Sequence, residues 1–290
     1  MDVQKYLNCL RLNWQMLKHC CQGRFLSLAD VARSYDRLAE DYDRSWLVHL
    51  RAVTDQLLAL LPAQLVPGDI LDLGCGSGYT SSRLLAAYPE RHLVAVDIST
   101  QMLAQARRRC PGGDFRTADM LAYCRQVPDA SQALVLSAWA IGYSQPVKLL
   151  REISRVLAPG GSVLFVTNLA DTMQPVFLAY RRTLARFPER TKGAIVHHFP
   201  PSPAGLADGL RRCGVAVDEL LSDEIAIATP AAEDIVDWLL KTGILAGFAE
   251  ILPIHDDQDV RDYFRQELLL ALKHQPLAHH YCIVKGTRRC

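Results

Sequence analysis

Between residues 70 and 166, short and continuously apolar runs alternate with segments of helical pattern, and this rhythm narrows the choice of fold more than any other feature. Ile70 to Leu73, Leu93 to Val96, 114–117, Leu134 to Leu136 and Ser162 to Val166 read as strands. The intervening stretches 79–88, 99–109 and 146–157 read as helices, the last halted by Pro159-Gly160-Gly161. Strands with no polar face, each followed by a helix, form a parallel sheet covered on both sides, so the fold class is α/β. After residue 168 the rhythm breaks. A helical stretch at 171–187, a loop through Pro200-Pro201, a helix at 203–212 and an extended run from Val215 to Ile227 follow. Helices at 232–246 and 258–273 precede a last strand, His280 to Val284. No internal repeat or Gly/Ser linker marks a second domain, so 171–200 and 231–275 are expected to be insertions capping one domain.

The predicted organisation is therefore a helical N-terminal lid over 1–62, a core over 63–170, and over 171–290 the cap insertions with the last two strands of the same domain. In the lid, Leu7, Leu10, Trp14, Leu17 and Cys21 fall on one helical stripe, expected to dock on the chain's own domain, with closure over a ligand or a dimer contact as alternatives. Ser27 and Asp30 are candidate N-caps for a helical region running to Leu61. Thirty-two Lys+Arg against 31 Asp+Glu leave a net charge of +1, which disfavours nucleic acid and an anionic membrane as partners. Nine cysteines without a CxxC pair fit reduced thiols in a cytoplasmic protein, and no apolar stretch is long enough to span a bilayer.

The chemistry concentrates in Asp72-Leu73-Gly74-Cys75-Gly76-Ser77-Gly78-Tyr79, between a buried strand and a helix. Glycines there allow close approach of a ligand to the backbone. Tyr79 stands where a GxGxxG dinucleotide loop requires glycine, and the Asp72 carboxylate would repel a pyrophosphate but attract an ammonium group. Asp97, at the end of the second strand, is placed to accept hydrogen bonds from ribose hydroxyls. Asp119, with Met120, follows the third strand and can accept from an adenine amino group while the neighbouring side chain packs on the ring. One carboxylate for an amine and another for a ribose describe S-adenosylmethionine (SAM).

These residues carry a resemblance. Ile70 to Gly78, then Val94-Ala95-Val96-Asp97-Ile98-Ser99 with Met102-Leu103, then Ala118-Asp119-Met120, are similar to the class I SAM-dependent methyltransferases, as is Leu150 to Gly161. The resemblance implies a Rossmann-like, mostly parallel seven-stranded sheet of order 3-2-1-4-5-7-6, helices on both faces, and a last strand antiparallel to the rest. It implies a donor site at Asp72, Gly74, Cys75, Gly76, Gly78, Asp97, Ile98, Met102, Asp119, Met120 and Ser137. The segment Tyr35 to Asp43 resembles the lead-in of small-molecule methyltransferases, where a tyrosine such as Tyr35 or Tyr42 closes over the methionine carboxylate. Trp238, Thr242-Gly243, Tyr263-Phe264, Leu268 and Tyr281 to Val284 are similar to the tails of trans-aconitate and malonyl-carrier-protein methyltransferases.

In-line displacement at a sulfonium methyl asks mainly for alignment and exclusion of water. Where the acceptor needs deprotonation, Tyr143, His197 and His198 are the candidates, with Tyr42 a further catalytic candidate. No metal is expected: His197-His198 and His279-His280 lack a ligand spacing, and Asp256-Asp257 reads as helix capping. Ser137-Ala138-Trp139-Ala140 lacks the Asn/Asp-Pro-Pro-aromatic cluster of enzymes that methylate exocyclic base amines, so a small acceptor is expected, used by a monomer or homodimer. Tyr180, Arg181, Arg182 and Arg186 form either an anion grip or a solvated helix face. Two alternatives stay open: a cyclase resembling azetidine-2-carboxylate synthases, in which the SAM amine attacks its own chain and releases methylthioadenosine, and a SAM-binding regulatory protein without turnover.

Overall fold

Capping residues and apolar spacing set the elements along the chain. The computed structural model describes residues 3–195 and 198–289, with side chains from Asn8 onward except that of Cys9. After α1 (Val3–Cys21), α2 (Leu28–Tyr42) opens on a capping box in which Ser27 accepts from the Asp30 N–H and the Asp30 carboxylate accepts from the Ser27 N–H. Ser27 is thus the cap and Asp30 its reciprocal partner. A π turn (Asp43–Leu47) leads into α3 (Val48–Ala59). The predicted alternation then appears as β1 (Asp69–Leu73), α4 (Tyr79–Ala87), β2 (Leu93–Asp97), α5 (Thr100–Arg109), β3 (Asp114–Thr117), α6 (Met120–Cys124) and β4 (Gln132–Ala138). It continues through α7 (Pro146–Val156), β5 (Leu157–Asn168), α8 (Gln174–Arg186), α9 (Pro203–Arg212) and β6 (Val215–Ala226). Helices α10 (Ile235–Leu240), α11 (Phe248–Ile251) and α12 (Gln258–Leu272) precede β7 (Ala278–Arg288).

Several boundaries differ from expectation, two of them for a plain local reason. Strand β5 starts at Leu157, ahead of the Pro-Gly-Gly turn, because Leu157 already pairs with Gln132 before the register shifts. The helix expected over 232–246 is interrupted. The Thr242 side chain accepts from the Ile244 N–H to start a 3-10 turn (Gly243–Leu245), and Gly247, at φ 82°, restarts the chain as α11.

The seven strands lie in the order β3-β2-β1-β4-β5-β7-β6, the order the resemblance implies. β1 runs parallel to β2 and β4, and β7 runs antiparallel to β5, with Phe165 opposite Val284. The order reverses between β1 and β4, and at such a switch point the carboxyl ends of adjacent strands open into a crevice. Below that edge, Leu71, Val96, Val135 and Phe165 pack with Leu149 and Ile153 of α7 and with Leu206 and Leu210 of α9. A smaller cluster joins Ala95 of β2 to Leu103 and Ala106 of α5.

Spatially the chain forms two units. The sheet-bearing unit comprises Leu47–Thr172, His197–Glu224 and His280–Cys290, and the second comprises Met1–Trp46, Met173–Val196 and Ile225–His279. Within the second unit, α1 overturns the docking expectation for its stripe: Leu10, Trp14, Leu17 and Cys21 are exposed, whereas Leu12 and Met16 are half-buried and His19 is buried beside Thr191. The side chain of Leu7 lies outside the described set. No helix among the described residues is long and apolar enough to cross a membrane.

Candidate active site

At the carboxyl end of β1 the chain leaves the sheet through three glycines with positive φ: Gly74 at 72°, Gly76 at 53° and Gly78 at 82°. The Gly74 and Cys75 N–H groups both donate to the Val96 carbonyl, at 2.8 and 3.0 Å, which ties the loop to β2. A Cβ on Gly78 would lie 2.8 Å from the Ala106 backbone, so this glycine lets α4 and α5 approach. A Cβ on Gly76 would meet nothing within 4 Å. That bare backbone faces open space, the cradle a closely held ligand requires.

Asp72, on β1, is fully buried. Its Oδ2 accepts from the Thr80 and Ser81 hydroxyls at 2.7 and 2.6 Å, both in the first turn of α4, while its Oδ1, also buried, has no hydrogen-bond partner among the described residues. Burial pushes its pKa up to about 6, against the two hydroxyl bonds that stabilise the anion, and the nearby Asp97 charge adds to the rise. A buried carboxylate oxygen lacking a donor is a site for a cation that brings its own N–H groups.

Asp97 closes the other side. Its Oδ2 accepts from the Gly76 N–H at 2.9 Å and its Oδ1 from the Ser99 N–H at 2.9 Å, so the carboxylate shapes the loop at the glycine that faces open space. Ile98 beside it is half-buried. Cys75 is buried and its thiol is pushed well up by burial and by the Asp97 and Asp72 charges, so it stays protonated. Asp119 caps α6 by accepting from the Ala122 N–H at 2.8 Å, and a Cβ on Gly74 would lie 3.5 Å from the Met120 methyl group and 2.3 Å from the Ala140 Cβ. Met102 is fully buried beneath the first turn of α5, where its N–H donates to Ser99. Ser137 donates its hydroxyl to the Leu73 carbonyl at 2.7 Å, pinning β4 to the root of the loop. Asp72, the three glycines, Asp97, Met120 and Ser137 thus converge on one crevice.

The fit to SAM can be tested on these observations. An ammonium group suits the unpartnered Asp72 oxygen, ribose hydroxyls suit the Asp97 carboxylate, and the open face of Gly76 admits a ligand against the backbone. The residues present fit the molecule.

Several supporting residues escaped the sequence reading because their partners lie far along the chain. Arg109 donates to the Ser77 carbonyl at 2.8 Å, bracing the loop from α5, although Arg107-Arg108-Arg109 reads in sequence as a solvated face. On α3, Asp55 accepts from the Tyr79 hydroxyl at 2.7 Å and Thr54 accepts from the Trp139 indole N–H at 3.0 Å, so one helix spans the crevice from α4 to the end of β4. Trp139 has φ 64°, a conformation that costs a non-glycine residue roughly 1–2 kcal/mol. Its N–H donates to the Val166 carbonyl at 2.8 Å and its ring meets Tyr281 edge-on at 5.9 Å.

Among the catalytic candidates, Tyr143 ends a 3-10 turn (Ile141–Tyr143) after β4 and is half-buried, and His198 is exposed. His197 lies outside the described residues. Tyr35 and Tyr42 pair edge-on at 6.1 Å in the second unit. Of the arginine group there, Arg181, Arg182 and Arg186 are exposed, as a solvated helix face would have them: Arg182 pairs with Glu267 and Arg186 stacks on Phe187, while Tyr180 is buried with its hydroxyl on the Phe248 carbonyl. Asp257 caps α12 and holds Arg190 at 2.6 Å. His279 is buried against Trp46, while His280 lies between Asp171 and Glu224, so the pair alternates across β7 as strand geometry demands.

Residues 70–161 match the family model described as a methyltransferase domain. The malonyl-[acyl-carrier protein] O-methyltransferase of Halorhodospira halophila is 38% identical over 49% of this chain and 49% of its own length. The trans-aconitate 2-methyltransferase of Acidovorax sp. (strain JS42) is 31% identical over 73% of this chain and 81% of its own length. Among solved structures, the chain in complex with the Haloferax volcanii Trm112 methyltransferase activator matches with a TM-score of 0.51 at 23% identity, covering 90% of this chain and 98% of that one, a likeness of fold. With the glycine crevice, its acidic pair and a relative matched over most of its length, the chain belongs to the SAM-dependent methyltransferases.

Proposed function

We propose that the acceptor is a small carboxylic acid or its thioester, methylated on a carboxylate oxygen. The observation that carries this reading is the similarity to two relatives whose names each specify a carboxylic acid acceptor, one of them matched over 81% of its length. A net charge of +1 agrees with an acceptor that is not a polyanion.

Bound in the crevice, SAM supplies an electrophilic methyl group. Asp72 would hold its ammonium group, Asp97 its ribose, and Met120 and Ile98 would flank its adenine, with the Asp119 oxygen not used in capping as the acceptor for the amino group. A carboxylate is already ionised at neutral pH and needs no base, so the work left to the chain is orientation and exclusion of water. Trp139, held by Thr54 and Tyr281, would wall the β4–β5–β7 half of the same edge, and Tyr143 would orient the acceptor rather than deprotonate it. Roles for Tyr35, Tyr42, His197 and His198 rest on the resemblance and on residue type. The arrangement of a helical lid over 1–62 and caps within 171–290 of a single domain is part of the same proposal, as is a cytoplasmic setting, supported by cysteines without a pairing pattern.

The test is product analysis. Purified protein with SAM and trans-aconitate or a malonyl thioester should yield S-adenosylhomocysteine and a methyl ester by mass spectrometry. Methylthioadenosine and a cyclic amino acid formed from SAM alone would overturn the reading in favour of the cyclase.

A further inference from the structure

Helix α1 packs on its own unit with the less apolar of its two faces. Turned inward are Asn8, Leu12, Gln15, Met16 and His19, the last bonded to Thr191 at 3.0 Å. The opposite face carries Leu10, Trp14 and Leu17, which are 48%, 70% and 55% exposed, with Cys21 exposed in line with them. Arg11 and Lys18, two helical turns apart and also exposed, run along one flank of this ridge.

Charge is segregated to the same segment. Residues 3–29 contain Lys5, Arg11, Lys18 and Arg24 and no Asp or Glu. Setting those four aside from the chain's 32 Lys+Arg leaves 28 against 31 Asp+Glu, so the rest of the chain is slightly acidic. The near-neutral total that argued against an anionic surface hides a basic, amphipathic N-terminal segment.

An apolar ridge beside Arg11 and Lys18, which make no ion pair among the described residues, calls for an anionic occupant. A second copy fits poorly. Two α1 helices packed antiparallel about a two-fold axis place the Arg11–Lys18 flanks of both copies on the same side of the contact, with no acid in either helix to offset them. The ridge is one helix wide and sets a tryptophan between two leucines with cations along its flank, the composition of a helix that lies in the headgroup layer of a bilayer.

We propose that α1 docks the protein on an anionic lipid surface, inserting Leu10, Trp14 and Leu17 with Arg11 and Lys18 against the headgroups. Flotation of the full chain with phosphatidylcholine vesicles, with and without roughly a third phosphatidylglycerol, tests this. Association is expected with the anionic vesicles only. It should weaken at least tenfold at about 0.5 M salt, and at least tenfold again in a Trp14→Ser/Leu17→Ser protein or an Arg11→Glu/Lys18→Glu protein that keeps the wild-type melting temperature. Three outcomes would overturn it: no association of the wild type with anionic vesicles, association unchanged in both double variants, or a wild-type dimer by light scattering that the Trp14→Ser/Leu17→Ser change splits into monomers.

Discussion

Asp72→Asn separates the binding role of the buried carboxylate from its cost to the fold. In the wild type the folded-state pKa is raised from 3.8 to about 6. The folded protein therefore holds this proton more tightly than the unfolded chain. This group favours folding most below pH 3.8, its contribution is lost as pH rises to about 6, and it stays lower above that. At 1.36 kcal/mol per pKa unit the loss is about 3 kcal/mol. Asparagine cannot ionise and escapes that loss. Its amide oxygen can accept the Thr80 and Ser81 hydroxyls, which leaves an NH2 at the buried Oδ1 position at a cost of about 1–3 kcal/mol. At pH 8 the variant should then be within about 2 kcal/mol of wild type by chemical denaturation, and the difference between the two proteins should shift in its favour by about 2.5 kcal/mol between pH 4 and pH 8. Donor binding should respond in the opposite sense. Loss of a charge-assisted bond of about 2–3 kcal/mol weakens S-adenosylhomocysteine roughly 30- to 150-fold at pH 8 in calorimetry. Wild-type affinity should also fall about tenfold per pH unit below 6, while the variant's should not. A variant that binds within threefold of wild type at pH 8, or that keeps the wild-type pH slope, refutes the assignment of Asp72 to an ammonium group.

The glycine loop gives a second discriminating pair. Gly76→Ala has room for its Cβ and should lose only about 1 kcal/mol of stability, yet weaken S-adenosylhomocysteine strongly, whereas Gly78→Ala, driven onto the Ala106 backbone, should lose about 2–4 kcal/mol in thermal unfolding. Thr54→Val strips the indole of Trp139 of its acceptor and should lower the melting temperature by about 2–6 °C while leaving donor affinity within twofold; a large loss of affinity would place Thr54 on the donor side instead. In maleimide labelling read by mass spectrometry, Cys20 and Cys21 should react fast and the buried Cys75, Cys110, Cys124 and Cys282 only on unfolding; rapid loss of Cys75 would contradict its burial beside two carboxylates.

The convergence of the glycine loop and its two acids was legible in the sequence because its parts are local. Asp72, Gly76 and Gly78 sit within one strand-to-helix turn, and Asp97 lies at the next strand end, where α/β topology fixes which residues meet. The same locality explains the strand order and the capping box at Ser27. Residues that brace the proposed donor site were missed where the contact spans the chain. Arg109 reaches back 32 residues to Ser77 and Trp139 reaches back 85 to Thr54, and neither separation leaves a periodic trace. For α1 the periodicity was read correctly and its consequence was not: a stripe at spacings of three and four shows which residues share a face, but only the packed structure shows that His19 and Met16 on the other side make the contact.

Trp139 marks where the proposed acceptor half departs from what a pattern can show. An aromatic residue at φ 64° does not persist for the sake of the strand it follows, since glycine would hold that turn without strain. It persists because three contacts from separate elements hold it: the Val166 carbonyl on β5, Thr54 on α3 and the Tyr281 ring on β7. The strain is therefore balanced by a wall of side chains at the β4–β5–β7 end, next to the loop that would present the methyl group. Shortening it as Trp139→Ala should leave S-adenosylhomocysteine affinity within threefold and raise the acceptor KM more than it lowers kcat, because the residue shapes space rather than handling a proton. Trp139→Phe keeps the ring while giving up the Thr54 bond, and should restore most of the KM. If both variants instead lower kcat equally with KM unchanged, the wall acts in the transition state and the acceptor lies closer to it than the β4–β5–β7 placement implies.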